Sequence, residues 1–410
     1  MTADRQNHSS PPRVAVAQLG ARRHYAVPSA LEACGLLDSL FTDFYATDAW
    51  EKAGSLLPGA ARLLDRRSPG IPGSTVRHFP LFGLHRAWLG RRALSEAGRI
   101  RNYADANRRF CKLVCSHWPD SADTFYVFNS AGLEILEEAG RRGLRRVVDQ
   151  ITAPWEVEQA LLDEERCRFP DWEPATDPAA WAALAERERQ EWEMADRIVC
   201  GSLFVKDSIA RLGGPSEKCA VVPYGTRSAA IRSAPRPRHA GPLRVLFAGT
   251  LQLRKGIQYL AAAARLVPAG KAVFRVVGAS QLSQQATDDL RGRIELRGAV
   301  PRSAMRLEYE WADVLATPSI SEGSANVCYE ALAEGLPVIA TPNTGSVVRD
   351  GSEGFVIPIR SAEALAECIA RLADDHSMWT LLSQNACRRA AEFSDRQYAS
   401  ALAAAVTRES

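Results

Sequence analysis

At 410 residues, with 46% hydrophobic and 24% charged side chains, the chain has the makeup of a globular protein and is long enough for two domains of about 200 residues each. Its net charge of +3 is too small to imply a nucleic-acid partner, and no apolar run reaches the ~20 residues needed to span a bilayer; even residues 260–279 are broken by Arg265, Lys271 and Arg275. The nine cysteines are scattered and form no CxxC, which indicates reduced, mostly buried thiols in a cytoplasmic protein, peripheral at most to a membrane.

Residues 1–12 are polar and end in Pro11-Pro12, which predicts a disordered lead-in rather than a secretory signal. A buried strand is expected at 14–19, then the loop Gly20-Ala21-Arg22-Arg23-His24-Tyr25, then a helix at 27–34. The loop carries neither GxGxxG nor GxxxxGK[ST], so the nicotinamide and P-loop readings lose their strongest support. Gly20, Arg22, Arg23 and His24 stand where a ligand approaches the end of a first parallel strand, the last three able to meet an anion or sugar, and solvated loop charge is the competing reading. Residues 50–75, rich in Gly and Pro, predict irregular backbone. From 85 to 112, Arg86, Arg91, Arg92, Arg99 and further cations up to Lys112 are opposed only by Glu96 and Asp105 and are interleaved with apolar residues. This predicts a basic amphipathic helical stretch, either a solvated face, the commoner meaning of a charge run, or a contact with an anionic membrane surface.

Strands at 124–128, 146–150, 197–200 and 220–222 then alternate with helices at 132–142 and 203–212 and a long helical region over 154–196, as a parallel sheet requires. Gln150 closes the second of these strands. The helical region is acidic and carries Trp155, Trp172, Trp181 and Trp192, for most of which core packing is the reading, although rings exposed in a cleft would stack on a sugar. Residues 227–242, aperiodic and rich in Pro and Arg, are the expected linker between domains at 13–226 and 243–392.

The second half opens with a strand at 243–248, the loop 249–256 (GTLQLRKG) and a helix at 257–266. Arg254 and Lys255, two cations just ahead of a helix amino terminus, make an anion site suited to a diphosphate, and Gly249 and Gly256 let the backbone approach it. Strands follow at 271–278, 294–298, 312–316 and 338–340; the loop Ala299-Val300-Pro301 stands where backbone groups would read the edge of a nucleobase. Residues 317–341, TPSISEGSANVCYEALAEGLPVIAT, run loop, helix, strand. Gly323, Ser324, Ala325, Asn326 and Val327 bring free N–H groups to the start of that helix. Glu330, about one turn in, is placed to accept from the vicinal hydroxyls of a ribose, and Glu322 lies closer to a sugar joined to the diphosphate. Two carboxylates also suggest a glycosidase, but a glycosidase has no need of a diphosphate site. No DxD stands near a suitable strand end, so no metal is invoked and the cations serve the leaving group.

Residues 244–358 resemble the retaining, nucleotide-sugar-dependent glycosyltransferases of the GT-B fold known as group 1 or family 4. The resemblance is carried by GTLQLRKG, by the E-x7-E pair Glu322/Glu330 with its EALAEGLPV context, and by Gly345, Asp350-Gly351 and Gly354 ahead of Val356-Ile357-Pro358. ADRIVCGSLFVKDSI (195–209), VVPYGT (221–226) and residues 393–402 extend it over most of the chain.

The resemblance implies an α/β protein of two Rossmann-like, doubly wound parallel-sheet domains facing a cleft. The first would bind the acceptor and the second a UDP-, GDP- or ADP-sugar, with a helix at 393–410 crossing back to the first. It implies Arg254 and Lys255 on the donor diphosphate, Glu330 on the ribose, Glu322 at the sugar or the anomeric charge, and Gly249, Thr250 and 323–327 around the donor. No cofactor or metal is implied beyond a hydroxyl acceptor, be it polysaccharide, lipid-linked sugar or small molecule. The sequence departs from the family pattern at Thr250, where many members have Arg, at Ser324-Ala325 in place of Phe-Gly, at Gln150 where many have a cleft His, and at Tyr224-Gly225-Thr226-Arg227, which lacks an Asp. A GT-B nucleotide-sugar epimerase and a catalytically silent scaffold are the alternatives.

Overall fold

The computed structural model describes residues 11–46, 66–92, 96–174, 177–226, 231–235 and 237–407. Most of the expected lead-in, part of the irregular stretch, and residues 227–230 and 236 of the expected linker lie outside them.

Two parallel sheets organise the chain. The first contains β1 (Val14–Gln18), β2 (Leu37–Thr42), β3 (Val76–His78), β4 (Thr124–Phe128), β5 (Arg145–Gln150), β6 (Arg197–Cys200) and β7 (Cys219–Val221) in the order β3-β2-β1-β4-β5-β6-β7. The second contains β8 (Leu243–Ala248), β9 (Ala272–Val277), β10 (Ile294–Gly298), β11 (Val314–Thr317), β12 (Val338–Ala340) and β13 (Gly354–Val356) in the order β10-β9-β8-β11-β12-β13. Every neighbouring pair is parallel. Strand order therefore reverses between β1 and β4 and again between β8 and β11, and a doubly wound sheet opens a crevice at such a point beyond the strands' carboxyl ends.

Why these residues form such sheets is visible in β1. Val14 and Val16 pack on one face with Leu31 and Leu402, while Ala15 and Ala17 pack on the other with Phe110 and Ile135. A strand covered by helices on both faces reads as an unbroken apolar run. In β8, likewise, Val245 and Phe247 face one core cluster and Leu246 and Ala248 the other.

Some strands carry no such run. β2 (LDSLFT) has its apolar residues interrupted by Asp38 and Ser39, and β3 and β13 are three residues each at the sheets' edges. The expected single helical region over 154–196 is two helices, Trp155–Arg168 and Pro178–Met194. Pro170, Pro174 and Pro178 break it, and the Asp177 side chain accepts from the N–H groups of Ala179 and Ala180 to start the second helix. The core reading of the tryptophans holds for Trp192, which is buried; Trp155, Trp172 and Trp181 are half-buried.

The final helix, Asp395–Thr407, follows the second domain in sequence but packs on the first, placing Tyr398, Leu402 and Val406 against Val14, Val16 and Leu31. Two backbone bonds of 2.8 Å, Thr226 N–H to Phe393 O and Asp395 N–H to Thr226 O, tie together the chain's two passes between the sheets. Among the described junction residues, Arg232 N–H donates to Ala333 O and the His239 N–H to Asp313, so this stretch is held by the second domain.

Candidate active site

The loop after β8 and the loop after β11 face each other across the second switch point. Arg254 O accepts from the N–H groups of Ile320 and Ser321 at 2.9 and 3.2 Å, which binds the loops into one wall. Gly256 is required there twice over: its φ is +74°, and a Cβ would lie 1.9 Å from Pro318 O. Behind the wall, Thr344 Oγ1 donates to Thr317 O, Thr341 Oγ1 to Ser319 O and the Asn343 amide to Ile320 O, so these three loop carbonyls are satisfied without ligand.

Arg254, Lys255 and Glu322 meet on this wall. Lys255 Nζ contacts Glu322 Oε2, and Arg254 Nη1 lies 3.6 Å from Glu322 Oε1. A fourth member comes from the other domain: Glu158, on the helix Trp155–Arg168, stands 3.6 Å from Arg254 Nη1 and accepts from Ser321 Oγ at 3.0 Å. Burial, and after it the charge of Arg254, pulls the Lys255 ammonium down to about 7, while Glu158 works against the fall. The Glu322 carboxylate in direct contact works the same way as Glu158 and favours the charged ammonium. Two cations held by two carboxylates at a sheet's switch point form a site whose cations a diphosphate can claim by displacing the acids.

Glu330 sits apart from this cluster, on the helix Asn326–Ala333. Its Oε2 accepts from Tyr309 O–H at 2.7 Å and its Oε1 is 3.9 Å from Arg302, next to the loop 299–301. The helix has no side-chain cap, and Asn326 at its start is exposed. Gly249 spends its N–H on Val277 O and has φ +147°; Thr250 beside it is half-buried. The side chains of 324–327 divide. Ser324 is turned inward, its hydroxyl 2.9 Å from Tyr329 O–H and donating to Gly345 O, and Ala325 and Val327 pack into the second domain's core, so only backbone groups of these three are placed to meet a ligand.

Gly323 is where the domains touch. A Cβ there would lie 1.6 Å from Ile151 O, and its carbonyl accepts from Ser202 Oγ. Beside this contact, Glu165 of the first domain accepts from Gln258 and Tyr259 at 2.8 and 2.9 Å, and Arg360 pairs with the same carboxylate. Glu173 accepts from Leu253 N–H at 2.6 Å. The cleft is thus described in a closed arrangement.

On the first domain, Arg22 donates to Tyr103 O–H at 3.0 Å and to Leu19 O, and Gly20 N–H donates to Asp43 at 2.9 Å. His24 is exposed in a run of three left-handed residues, Arg23, His24 and Tyr25, with φ of 47°, 51° and 62°, a strained loop of the kind found at functional sites. Gln150 is buried and its amide is spent: Nε2 donates to Glu188 and Thr152 O, and Oε1 accepts from Trp192 Nε1. These bonds give Gln150 a framework role between Glu188 and Trp192. Arg86 is not a surface cation as its stretch suggests; it turns inward to Asp43 at 2.6 Å, which Arg66 shares.

Glu158 and Tyr309 carry no signal that singles them out in the sequence. Arg23 is half-buried, with its guanidinium 3.3 Å above the Tyr224 ring and donating to the Tyr398 hydroxyl at 2.8 Å. Burial raises the neighbouring Asp149 carboxyl to about 6, against the Tyr126 hydroxyl bonded to it and the charge of Arg23. Among the described residues no group of three or more His, Cys, Asp or Glu is placed to hold a metal ion, and no helix is long and apolar enough to cross a membrane.

Comparison with known proteins agrees with this architecture. Residues 242–375 match the family model for group 1 glycosyl transferases. The amylovoran biosynthesis glycosyltransferase AmsK of Erwinia amylovora is 27% identical over 177 residues, which are 40% of this chain and 44% of AmsK. The D-inositol 3-phosphate glycosyltransferase of Xylanimonas cellulosilytica is 31% identical over 213 residues, 46% of this chain and 51% of the relative. These alignments span about half the length of each relative. The crystal structure of Anabaena HepE in complex with UDP and glucose superposes with a TM-score of 0.62 at 16% identity, covering 95% of this chain and 97% of that one. The two-domain GT-B fold is shared along nearly the whole chain.

Proposed function

We propose that this chain is a glycosyltransferase that moves a sugar from a nucleoside diphosphate donor, held by the second domain, to a hydroxyl acceptor held by the first, with retention at the anomeric carbon. The observation that carries the reading is the convergence of Arg254, Lys255 and Glu322 across the switch point between β8 and β11, closed over by Glu158 from the other domain. When the donor enters, its diphosphate takes the two cations from their carboxylates. Arg254 and Lys255 then stabilise the charge that grows on the departing phosphate, a task for preorganised cations in a site that excludes water. Glu330, already oriented by Tyr309, takes the ribose hydroxyls. Glu322, released from Lys255, faces the sugar. A phosphate oxygen leaving on the attacked face of the sugar accepts the acceptor's proton, so the new bond forms where the old one breaks and no separate base is required.

A UDP-sugar is the first donor to test, since the similarly folded HepE structure holds UDP and glucose, with GDP- and ADP-sugars beside it. The name of AmsK, which serves amylovoran biosynthesis, favours a saccharide acceptor. A peripheral contact with an anionic membrane fits the helix Pro80–Arg92, where Leu81, Leu84 and Trp88 share one face and are 84%, 41% and 47% exposed. The next helix, Glu96–Cys115, adds Arg99, Arg101, Arg108 and Arg109 at the surface.

The test is incubation with UDP-, GDP- and ADP-sugars and saccharide acceptors, followed by NMR of the product. Acceptor-dependent release of one nucleoside diphosphate, with the donor's anomeric configuration kept, supports the reading. Consumption of every donor at the same rate with and without acceptor, or an inverted product, overturns it.

A further inference from the structure

The loop that follows β1 is held against its own preference. Arg23, His24 and Tyr25 take φ of 47°, 51° and 62° in succession, a left-handed run that side chains other than glycine resist. Such a run persists only where its surroundings over-determine it. Two of the three side chains supply that hold. Tyr25 is fully buried and donates to Phe44 O at 2.8 Å. Arg23 turns toward the path between the domains: its guanidinium lies 3.3 Å from the centre of the Tyr224 ring and 4.6 Å from that of Tyr398, and it donates to the Tyr398 hydroxyl at 2.8 Å. A guanidinium over two aromatic rings, away from bulk water, is firmly held. Its place in the sequence suggests a contact with an anion or a sugar; the structure gives it these two tyrosines instead.

Tyr224 stands where the chain leaves the first sheet, two residues before Thr226 makes its backbone bonds to Phe393 and Asp395. Its own hydroxyl is enclosed without a partner among the described residues, so what it offers is a ring face, taken by Arg23, and a backbone N–H. That N–H donates to the Tyr329 hydroxyl at 3.0 Å. Tyr329 lies on the helix Asn326–Ala333 of the second domain, yet it is buried in the first domain's core cluster with Tyr224, Tyr398 and Leu402, its ring centre 6.2 Å from that of Tyr224. Its hydroxyl is 2.9 Å from Ser324 Oγ, and Ser324 gives its single proton to Gly345 O at 3.2 Å. The proton between the two hydroxyls is therefore Tyr329's. The bonds run one way, from Tyr224 N–H to Tyr329, from Tyr329 to Ser324 and from Ser324 to Gly345 O, and bonds so aligned polarise one another.

The packing around this chain of bonds is tight. A Cβ on Gly201, just after β6, would lie 2.9 Å from the Tyr224 ring and 3.0 Å from Ser324 Cβ. One on Gly345 would lie 2.2 Å from Gly323 O and 2.7 Å from Ser202 Oγ. Close-packed atoms transmit a displacement instead of absorbing it, so a shift of the Tyr224 ring reaches the loop that carries Glu322 and Gly323. Arg23 and Tyr329 use different parts of Tyr224, one its ring face and the other its N–H. We propose that Arg23 and Tyr329 are positioning residues, joined through Tyr224, that hold the β1 loop of the first domain in register with residues 321–325 of the second. It rests on the transferase reading only for what the register serves, the alignment of acceptor with donor.

The experiment compares the full-length wild type with Arg23→Met, Tyr329→Phe and the double variant, by hydrogen exchange and by transfer kinetics. Arg23→Met should speed exchange about tenfold or more in peptides covering 321–327 as well as in those covering 20–26, although its own contacts are with Tyr224 and Tyr398. Tyr329→Phe keeps the ring and loses the hydroxyl, and it should do the same in both stretches. In transfer, each single variant should lose about tenfold in kcat while nucleoside diphosphate affinity stays within about threefold. The double variant should lose no more than the larger single loss, since one break already uncouples the loops. Faster exchange confined to 20–26 in Arg23→Met, or to 321–327 in Tyr329→Phe, overturns the proposal, as does a double variant whose loss in kcat is the product of the two singles. If Arg23→Met does not fold, Tyr329→Phe decides by its exchange at 20–26. A wild type that transfers sugar from no nucleoside diphosphate donor removes the transferase reading and leaves exchange to decide the coupling. A wild type that transfers, with variants that match it in kcat, removes the coupling alone.

Discussion

Replacing Gly323 by alanine probes the closed cleft at its tightest point. The glycine is not in a left-handed conformation, so alanine is acceptable to the backbone itself. The added methyl would lie 1.6 Å from Ile151 O, 2.6 Å from its carbonyl carbon and 2.9 Å from Thr152 Cα, all backbone atoms of the other domain. Ordinary contact begins near 3.4 Å, so the two surfaces must part by about 1.8 Å there. The bond from Ser202 Oγ to Gly323 O, that from Ser321 Oγ to Glu158 and the approach of Arg254 to Glu158 all stretch with it. Misplacement of reacting groups by about 1 Å costs roughly a hundredfold in rate. Gly323→Ala should therefore lose about 10²-fold in kcat. The nucleoside diphosphate, which the proposed reading assigns to the second domain, should keep its affinity within about threefold, a difference under 0.7 kcal/mol. Thermal unfolding should barely move, because the three atoms nearest the added methyl all belong to the other domain. Steady-state transfer, nucleotide titration and small-angle scattering measure the three. Full kcat with an unchanged scattering profile would refute the reasoning, since the cleft would then not need this contact.

Burial lifts the Glu188 carboxyl to about 8, against the bonds it accepts from Gln150, Trp155 and Asn129. A carboxyl that holds its proton longer folded than unfolded contributes stability that is lost as pH rises from its unfolded value near 4.5 toward 8. Glu188→Gln lacks that ionisation, so its denaturant midpoint should gain on the wild type between pH 5 and pH 8.5 by the equivalent of about 1.4 kcal/mol or more; parallel profiles would contradict the burial argument. On the helix Pro80–Arg92, Leu81→Asp with Trp88→Asp should reduce sedimentation with anionic vesicles at least tenfold while leaving transfer to a soluble acceptor unchanged, the two side chains being exposed. Equal sedimentation of variant and wild type would remove the membrane contact.

What the chain reveals in one dimension follows from how each element is buried. β8, β10 and β12 have the bounds their residues suggest, and β8 and β12 lie inside the sheet, where both faces are covered and the apolar run is unbroken. β2 is less legible because Asp38 and Ser39 interrupt it, and β3 because three residues after a Gly- and Pro-rich stretch carry no period. Arg254, Lys255 and Glu322 are readable because each sits in a short loop directly after a strand, and the switch point brings those two loops together. Glu158 and Glu165 come from the other domain, on a helix so rich in acids that solvated charge is its plain reading; only the closed cleft shows them turned toward Arg254 and Arg360. Gln150 could be placed at a strand end, yet its inward turn depends on Glu188, buried from a helix that starts 28 residues later at Pro178. Tyr309 carries no local mark at all, since its hydroxyl finds Glu330 only through packing.

The central claim, that Arg254 and Lys255 exist to hold a nucleoside diphosphate, is met most directly by calorimetric titration of UDP, GDP and ADP into the wild type, Arg254→Ala and Lys255→Ala. One of the three should bind the wild type, and each variant should weaken it by about 10²-fold, the loss of a buried charge-assisted contact. Binding of none, or equal binding to the wild type and both variants, would contradict it.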